Sequence, residues 1–259
     1  MPTTNHTQHG HRTGILLASP SKSTKVNCWS CGDMRAAHFC HQCGKVQPPA
    51  PVDYFTFFGL PYKLNLDIAG LEREFYNLSR HLHPDINAIS SGQEQQWSLE
   101  QSSQLNDAYR TLKDPIARTE YLLRLQGVRI EEQSKSATEE ARRTGIAKKQ
   151  VVPPDLLEQV FELNMQLEEA RMNRKMGEWD RSLELELRDT KKQLQAKYDA
   201  MLRELRAAWD EWDALVDRAQ DGGNVLEDDR LATRDKMVDV LNRRKYLGNL
   251  LRDVEEVLE

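Results

Sequence analysis

Apolar residues recur at helical spacing along most of the chain. Leu71, Phe75, Leu78 and Leu82 follow at intervals of four, three and four, which lines them along one side of a helix, with Arg73, Asn77 and Arg80 on the other. Asp67 is placed to cap that helix, and Pro84 ends it, because the residue before a proline is pushed out of the α region. A polar loop with Ser90, Ser91 and Gly92 comes next. Leu105, Ala108, Tyr109 and Leu112 then mark a second helical face, Asp114-Pro115 opens a third helix as cap and first-turn proline, and Gly127 closes it. Residues 53–127 therefore predict a compact helical unit in which two antiparallel helices are joined by a loop with His83-Pro84-Asp85 at its mouth. The stretch 131–150 lacks a sustained apolar stripe and reads as a linker, bounded at 128–152. Long helices resume over 153–259, where Leu156, Val160, Leu163 and Leu167 form a stripe, with a break at Asp221-Gly222-Gly223-Asn224. No strand alternation of useful length and no internal repeat occur, so the predicted fold class is all-α.

Composition narrows the picture. A chain of 259 residues suggests one to three domains, and 30% charged residues with a mean hydropathy of -0.72 fit a soluble, helix-rich protein. No apolar run approaches the roughly 18 residues needed to cross a bilayer, so a membrane is not an expected partner. The net charge of -5 gives no reason to expect nucleic acid either. Residues 1–27 carry Arg12, Lys22 and Lys25, many Ser and Thr, and no acid. That composition fits a mitochondrial presequence and, equally, a plain disordered tail.

All four cysteines fall in "CWSCGDMRAAHFCHQC", as Cys28-x2-Cys31 and Cys40-x2-Cys43. Two such knuckles bring four thiolates within reach of one tetrahedral Zn²⁺, and a segment so short needs the metal to fold. An iron–sulfur site and a dithiol redox pair are the competing readings. His38 and His41 are redundant for a four-cysteine site and are expected in solvent, and Trp29 is expected to pack. Pro48-Pro49-Ala50-Pro51 reads as a stiff spacer that decouples this segment from the helical unit of residues 53–127, so that Cys→Ser changes would melt the segment alone.

His83-Pro84-Asp85 has no nucleophile, metal-ligand spacing or phosphate loop around it, so a complete active site is excluded. In its helix–loop–helix frame, with "DYFTFFGL" upstream and "QLNDAYRTLKDP" downstream, it resembles the J domain of DnaJ-type co-chaperones. The resemblance implies that His83, Pro84 and Asp85 dock on the ATPase domain of a DnaK-type (70-kDa heat-shock) chaperone and trigger ATP hydrolysis there, with Arg73 and Arg80 adding positive charge for an acidic surface. Asp85 can accept a bidentate pair from an arginine, His83 offers a donor, an acceptor and a flat face, and Pro84 fixes the backbone. The helix lacks the lysine-rich face of general J domains, which points to a dedicated chaperone partner.

"DYFTFFGLP", "HLHPD", "NDAYRTLKDPIARTEYLLRLQG" and "LLEQVFELNMQLEEA" together resemble the HscB/Jac-type iron–sulfur co-chaperones over roughly residues 28–259. The resemblance implies a J domain and a C-terminal three-helix bundle in an L shape, preceded by the tetracysteine segment that longer eukaryotic members are similar in carrying. It implies a non-enzymatic adapter that delivers an IscU/Isu-type scaffold protein to a mitochondrial DnaK-type chaperone, in the mitochondrial matrix or with a cytosolic pool. It assigns the scaffold-binding apolar patch to Leu156, Leu157, Val160 and Tyr246, although periodicity alone reads Leu156 and Val160 as core. A general protein-folding J-domain co-chaperone and a cysteine-dependent redox or cluster-carrying protein are the alternatives. The stretch "AAWDEWDALVDRAQDGGNV" departs from shorter relatives and leaves the helix junction near it open.

Overall fold

The computed structural model describes residues 27–34, 37–85, 91–128, 157–178 and 180–259. Seven α-helices lie among them: α1 Tyr54–Phe57, α2 Ile68–Leu82, α3 Gly92–Lys113, α4 Pro115–Leu125, α5 Leu157–Met176, α6 Arg181–Gln220 and α7 Glu227–Leu258. The described residues contain no strand, only an isolated antiparallel bridge between Phe39 and Val46, so the fold is all-α as expected. Leu156, nearly all of the expected linker and all but the last residue of the 1–27 tail lie outside the described residues. The chain divides into two units. One runs to Val128 and includes Trp209–Arg230; the other holds Arg129–Ala208 and Leu231–Glu259.

In the first unit, Leu71, Leu78 and Leu82 of α2 are buried and Phe75 is half-buried, while Arg73, Asn77 and Arg80 are exposed. Asp67 occupies the cap position, but its side chain accepts no bond from the first-turn amides; the carboxylate instead accepts from the Arg73 guanidinium at 3.4 Å. Ser91 caps α3 through a reciprocal box with Glu94. Ser98 and Ser102 of α3 each donate to the Leu82 carbonyl at 2.6 Å, satisfying an acceptor that the end of α2 would otherwise leave open. Asp114 accepts from the Ile116 and Ala117 amides, and Gly127 adopts φ +79°, a conformation a side chain would resist.

The run "RTEYLL" in α4 is an anchor. Arg118, Thr119, Tyr121, Leu122 and Leu123 are all buried. Arg118 donates to the Leu112 carbonyl and lies over the Trp209 ring at 5.2 Å, and burial lowers its pKa. The Tyr121 hydroxyl accepts from the Tyr54 amide at 2.9 Å, the two rings stack at 4.4 Å, and burial pushes the phenol up to about 12.

The "WDEW" stretch, whose helix junction the sequence left open, lies within the continuous helix α6. The end of that helix, from Trp209 on, belongs to the first unit rather than completing the C-terminal bundle. Trp212, fully buried, donates its indole N–H to the Tyr62 carbonyl at 2.9 Å. Asp213 accepts from the Leu64 and Asn65 amides at 2.7 and 2.9 Å; burial raises its pKa against those bonds. A turn with two otherwise orphaned amides thus finds its acceptor about 150 positions along the chain.

The second unit contains α5, the first part of α6 and most of α7. Val160, Leu163, Leu167 and Ala170 form the buried side of α5, as the periodicity of the stripe predicted from Val160 onward. Leu187 and Leu194 of α6 and Leu247 and Val254 of α7 are buried as well. Ion pairs link α6 to α7 at Lys191–Glu255 and Glu204–Arg243, both at 2.9 Å, and Arg244 lies over the Tyr198 ring at 4.2 Å.

Candidate functional site

The tripeptide sits where α2 stops. His83 has φ -65° and ψ 131°, an extended conformation imposed by the following proline. The Asp85 amide donates to His83 Nδ1 at 3.2 Å, which places the ring proton of the neutral imidazole on Nε2. The His83 and Asp85 side chains are 57% and 89% exposed, with Nδ1 3.7 Å from the carboxylate. Arg80 is exposed one turn earlier, and Arg73 is exposed although it is paired with Asp67. A short rigid turn therefore presents an imidazole and a carboxylate to solvent.

The four cysteines converge, with all four Sγ atoms within 4.8 Å of one another. Cys28 and Cys43 lie 3.7 Å apart and Cys31 and Cys40 3.6 Å. The edge of a tetrahedron of sulfurs around a zinc-sized ion is about 3.8 Å, so the set fits one thiophilic metal. The two knuckles share a backbone design. The Gly32 amide donates to the Cys28 carbonyl at 2.9 Å and the Gly44 amide to the Cys40 carbonyl at 2.8 Å, with both glycines at positive φ, +79° and +74°. Burial acts to raise the Cys28 thiol, but hydrogen bonds from the Cys31 and Ser30 amides and the neighbouring thiols outweigh it and pull the group down to about 6. Cys31 receives a bond from the Asp33 backbone that favours the thiolate, but burial and the other three thiols push it up to about 12. Crowded thiols of this kind resist a second negative charge unless a cation shares the site.

Two expectations about this segment do not hold. The spacer does not decouple it: Phe39 and Val46 join Phe57, Leu78, Leu82, Leu105 and Ala108 in one core cluster. His38 is not a solvated bystander either. It is half-buried, with Nε2 donating to the Phe57 carbonyl at 2.8 Å, Nδ1 3.0 Å from Gln101 Oε1, and its ring against Phe57 at 4.1 Å. Trp29 packs edge-on to Trp97 at 5.8 Å and donates to the Val46 carbonyl at 2.8 Å. The signal was in the sequence: Phe39 and Val46 flank the second knuckle, and a segment this small has nowhere of its own to bury them.

The expected scaffold patch divides. Leu157 is 52% exposed, whereas Val160 and Tyr246 are 6% and 8% exposed and belong to the core of their unit. Exposure, which a contact patch needs, is therefore corrected for these two residues; Leu156 lies outside the described residues. Phe161, Met165, Met172 and Met176, which periodicity did not single out, are exposed at 61–70%. At 3.6 residues per turn they share with Leu157 a sector of about 100°, opposite the buried side of α5. Glu158, Glu168 and Lys175 are exposed within the same sector, so the row is apolar but interrupted by charge.

No family model matches the chain. It is 38% identical over 121 residues to the iron-sulfur cluster co-chaperone protein HscB of Mus musculus, covering 44% of this chain and 52% of that protein. It is 33% identical over 146 residues to the HscB homolog of Arabidopsis thaliana, covering 56% and 52%. The chain thus spans about half the length of the curated relatives it matches. The crystal structure of human co-chaperone protein HscB has the same fold, with a TM-score of 0.57 at 22% identity over 89% of this chain and 98% of that one. The chain is thus similar in sequence to the HscB-type iron–sulfur cluster co-chaperones and shares the fold of the human structure.

Proposed function

We propose that the chain is a co-chaperone of iron–sulfur cluster assembly, an adapter with no chemistry of its own. His83 and Asp85 engage the ATPase domain of a DnaK-type chaperone and stimulate its ATP hydrolysis, and the second unit holds an IscU/Isu-type scaffold for cluster transfer. The mitochondrial matrix is the proposed site of action. The observation that carries this reading is the solvent-facing imidazole and carboxylate on an extended, proline-fixed turn at the end of α2. A carboxylate so placed can take a bidentate bond from an arginine, and the exposed Arg80 adds charge for an acidic partner surface.

In this reading the scaffold meets the outer face of α5. Leu157 keeps its assigned contact role and is joined by Phe161 and Met165, while Val160 and Tyr246 support the face from the core. Methionines suit such a surface, since their unbranched side chains adapt to a partner's contours. Cys28, Cys31, Cys40 and Cys43 hold one Zn²⁺ per chain, which would supply folding energy to a segment with little core of its own.

Single-turnover ATP hydrolysis by the chaperone tests the central claim. His83→Gln, a change at an exposed side chain, leaves the fold intact and removes the stimulation; full stimulation by the variant would sink the reading. Elemental analysis tests the metal. One zinc per chain is expected, and iron, or a metal-free chain with two disulfides, would overturn that part.

A further inference from the structure

The tetracysteine segment reaches both helices that bracket the tripeptide. On the α2 side, the Phe39 ring stacks on His81 with centroids 4.0 Å apart and planes at 16°, two residues before His83. Phe39 and Val46 also pack in the cluster with Leu78 and Leu82, the last two buried positions of α2. On the α3 side, Lys45 Nζ lies 2.7 Å from Glu94 Oε1, while the other oxygen of Glu94 takes the Ser91 amide at 2.9 Å in the capping box. Trp29 meets Trp97. One helical turn further, Gln101 faces His38 Nδ1 at 3.0 Å and donates to the Gln47 carbonyl at 2.6 Å, where it is almost fully buried.

Most of the reaching residues stand at the edges of one knuckle. His38 and Phe39 immediately precede Cys40, and Lys45, Val46 and Gln47 closely follow Cys43. The Phe39–Val46 bridge and the bond from the Cys40 amide to the Lys45 carbonyl at 2.9 Å hold the two edges together. A metal held by Cys40 and Cys43 fixes where those side chains can be, and so fixes what they grip. We propose that the metal-holding segment is a positioning device for the chaperone contact. Ligation of a thiophilic divalent cation sets the end of α2 through Phe39, and the first half of α3 through Lys45 and His38, and thereby the placement of His83 and Asp85.

The physical gain is preorganisation. A turn that samples several placements presents the productive one for only a fraction of the time, and the apparent affinity of its partner falls by that fraction. The Ser98 and Ser102 bonds to Leu82 tie α2 to α3 directly, so the segment refines a frame that already exists. The expected signature of loosening is therefore weaker binding with an unchanged maximal effect.

The inference rests on the chaperone reading above, and two measurements on the full-length chain separate their failures. The first is amide hydrogen exchange with Zn²⁺ bound and after EDTA treatment, with no chaperone present. Exchange over residues 80–82 and 91–101 should accelerate about tenfold on metal removal, as local opening becomes easier, while the amides of Trp209–Gln220 stay as protected as before. The second is the co-chaperone concentration giving half-maximal ATPase stimulation. Lys45→Ala should raise it about two- to fivefold with the maximum unchanged, in proportion to the lost competent fraction, and Lys45→Arg, which keeps the ion pair, should restore it. Unchanged exchange after EDTA, with His83→Gln still abolishing stimulation, would overturn the inference alone. A lowered maximum for Lys45→Ala at unchanged half-maximal concentration would also overturn it. Full stimulation by His83→Gln would remove the chaperone reading and this inference with it.

Discussion

The end of α2 and the outer face of α5 are the two surfaces that the proposed function assigns to partners, and they are built on opposite plans. At the end of α2 the contact is small and polar: one imidazole and one carboxylate, on a backbone pinned by Pro84, by two serine bonds to Leu82 and by the tetracysteine segment. On α5 the contact is broad and apolar, spread over five exposed side chains from Leu157 to Met176, with the core confined to the opposite side. A directional contact needs bracing, because hydrogen bonds weaken steeply with misalignment. An area contact needs exposure and little else, because hydrophobic attraction is non-directional.

The bracing is broken most severely at the metal. Cys40→Ser removes a ligand from a set whose binding free energy is on the order of 10 kcal/mol in comparable small zinc modules. The expected result is loss of the bound metal and melting of residues 27–47, together with a lower melting temperature for the first unit, because Phe39 and Val46 leave its core cluster. Elemental analysis and a thermal melt followed by circular dichroism check this. A first unit that melts as before would restore the decoupling that the proline spacer suggested.

The apolar surface is sharpened by a pair of truncations one helical face apart. Leu163 is 1% exposed, so Leu163→Ala should cost about 2–5 kcal/mol of stability through the cavity it leaves. Phe161→Ala with Met165→Ala should leave the urea midpoint nearly unchanged, since both side chains are exposed. That double change should weaken scaffold binding by about 2 kcal/mol, the loss typical of truncated anchors. Calorimetric titration with the scaffold measures the second effect; a large stability loss with unchanged affinity would place these side chains in a core.

The same contrast decided what the sequence made visible. The helix stop at Pro84, the Asp114-Pro115 start and the convergence of the four cysteines are local signals, written within a few residues of the features they set, and the structure has these features as read. The side of α5 that faces out is not local. One step along a helix turns the side chain by about 100°, so a patch carried over at Val160 and not at Phe161 lands in the core. The burial of Tyr246 was equally illegible, because an aromatic in a long helix looks alike whether it faces inward or outward. The docking of Trp212 and Asp213 on Tyr62 and Leu64 spans about 150 positions, and no periodicity reaches that far. The paired tryptophans and the apolar residues flanking the second knuckle were the available hints.

The smallest effect tests whether one corner of the bracing is electrostatic. The ion pair with Lys45 holds the Glu94 carboxyl below the usual carboxylate range; burial opposes it, and the Ser91 amide and hydroxyl assist. A carboxyl depressed on folding adds stability that is fully present above its unfolded value of about 4.3 and is lost as pH falls through the folded value. Lys45→Ala removes the largest cause of the depression. Lys45 is 41% exposed, so solvent screens the pair and the expected loss at pH 7 is no more than about 1 kcal/mol. The difference between the wild-type chain and Lys45→Ala should shrink as pH falls below the unfolded value and vanish once pH is below the depressed folded value, where both carry a neutral Glu94. Urea midpoints of the first unit across that range measure it. A difference that persists undiminished after Glu94 has been fully protonated would mean that Lys45 acts through the packing of its stem and not through charge. The tetracysteine segment would then hold α3 by the same non-directional means that suffice on α5.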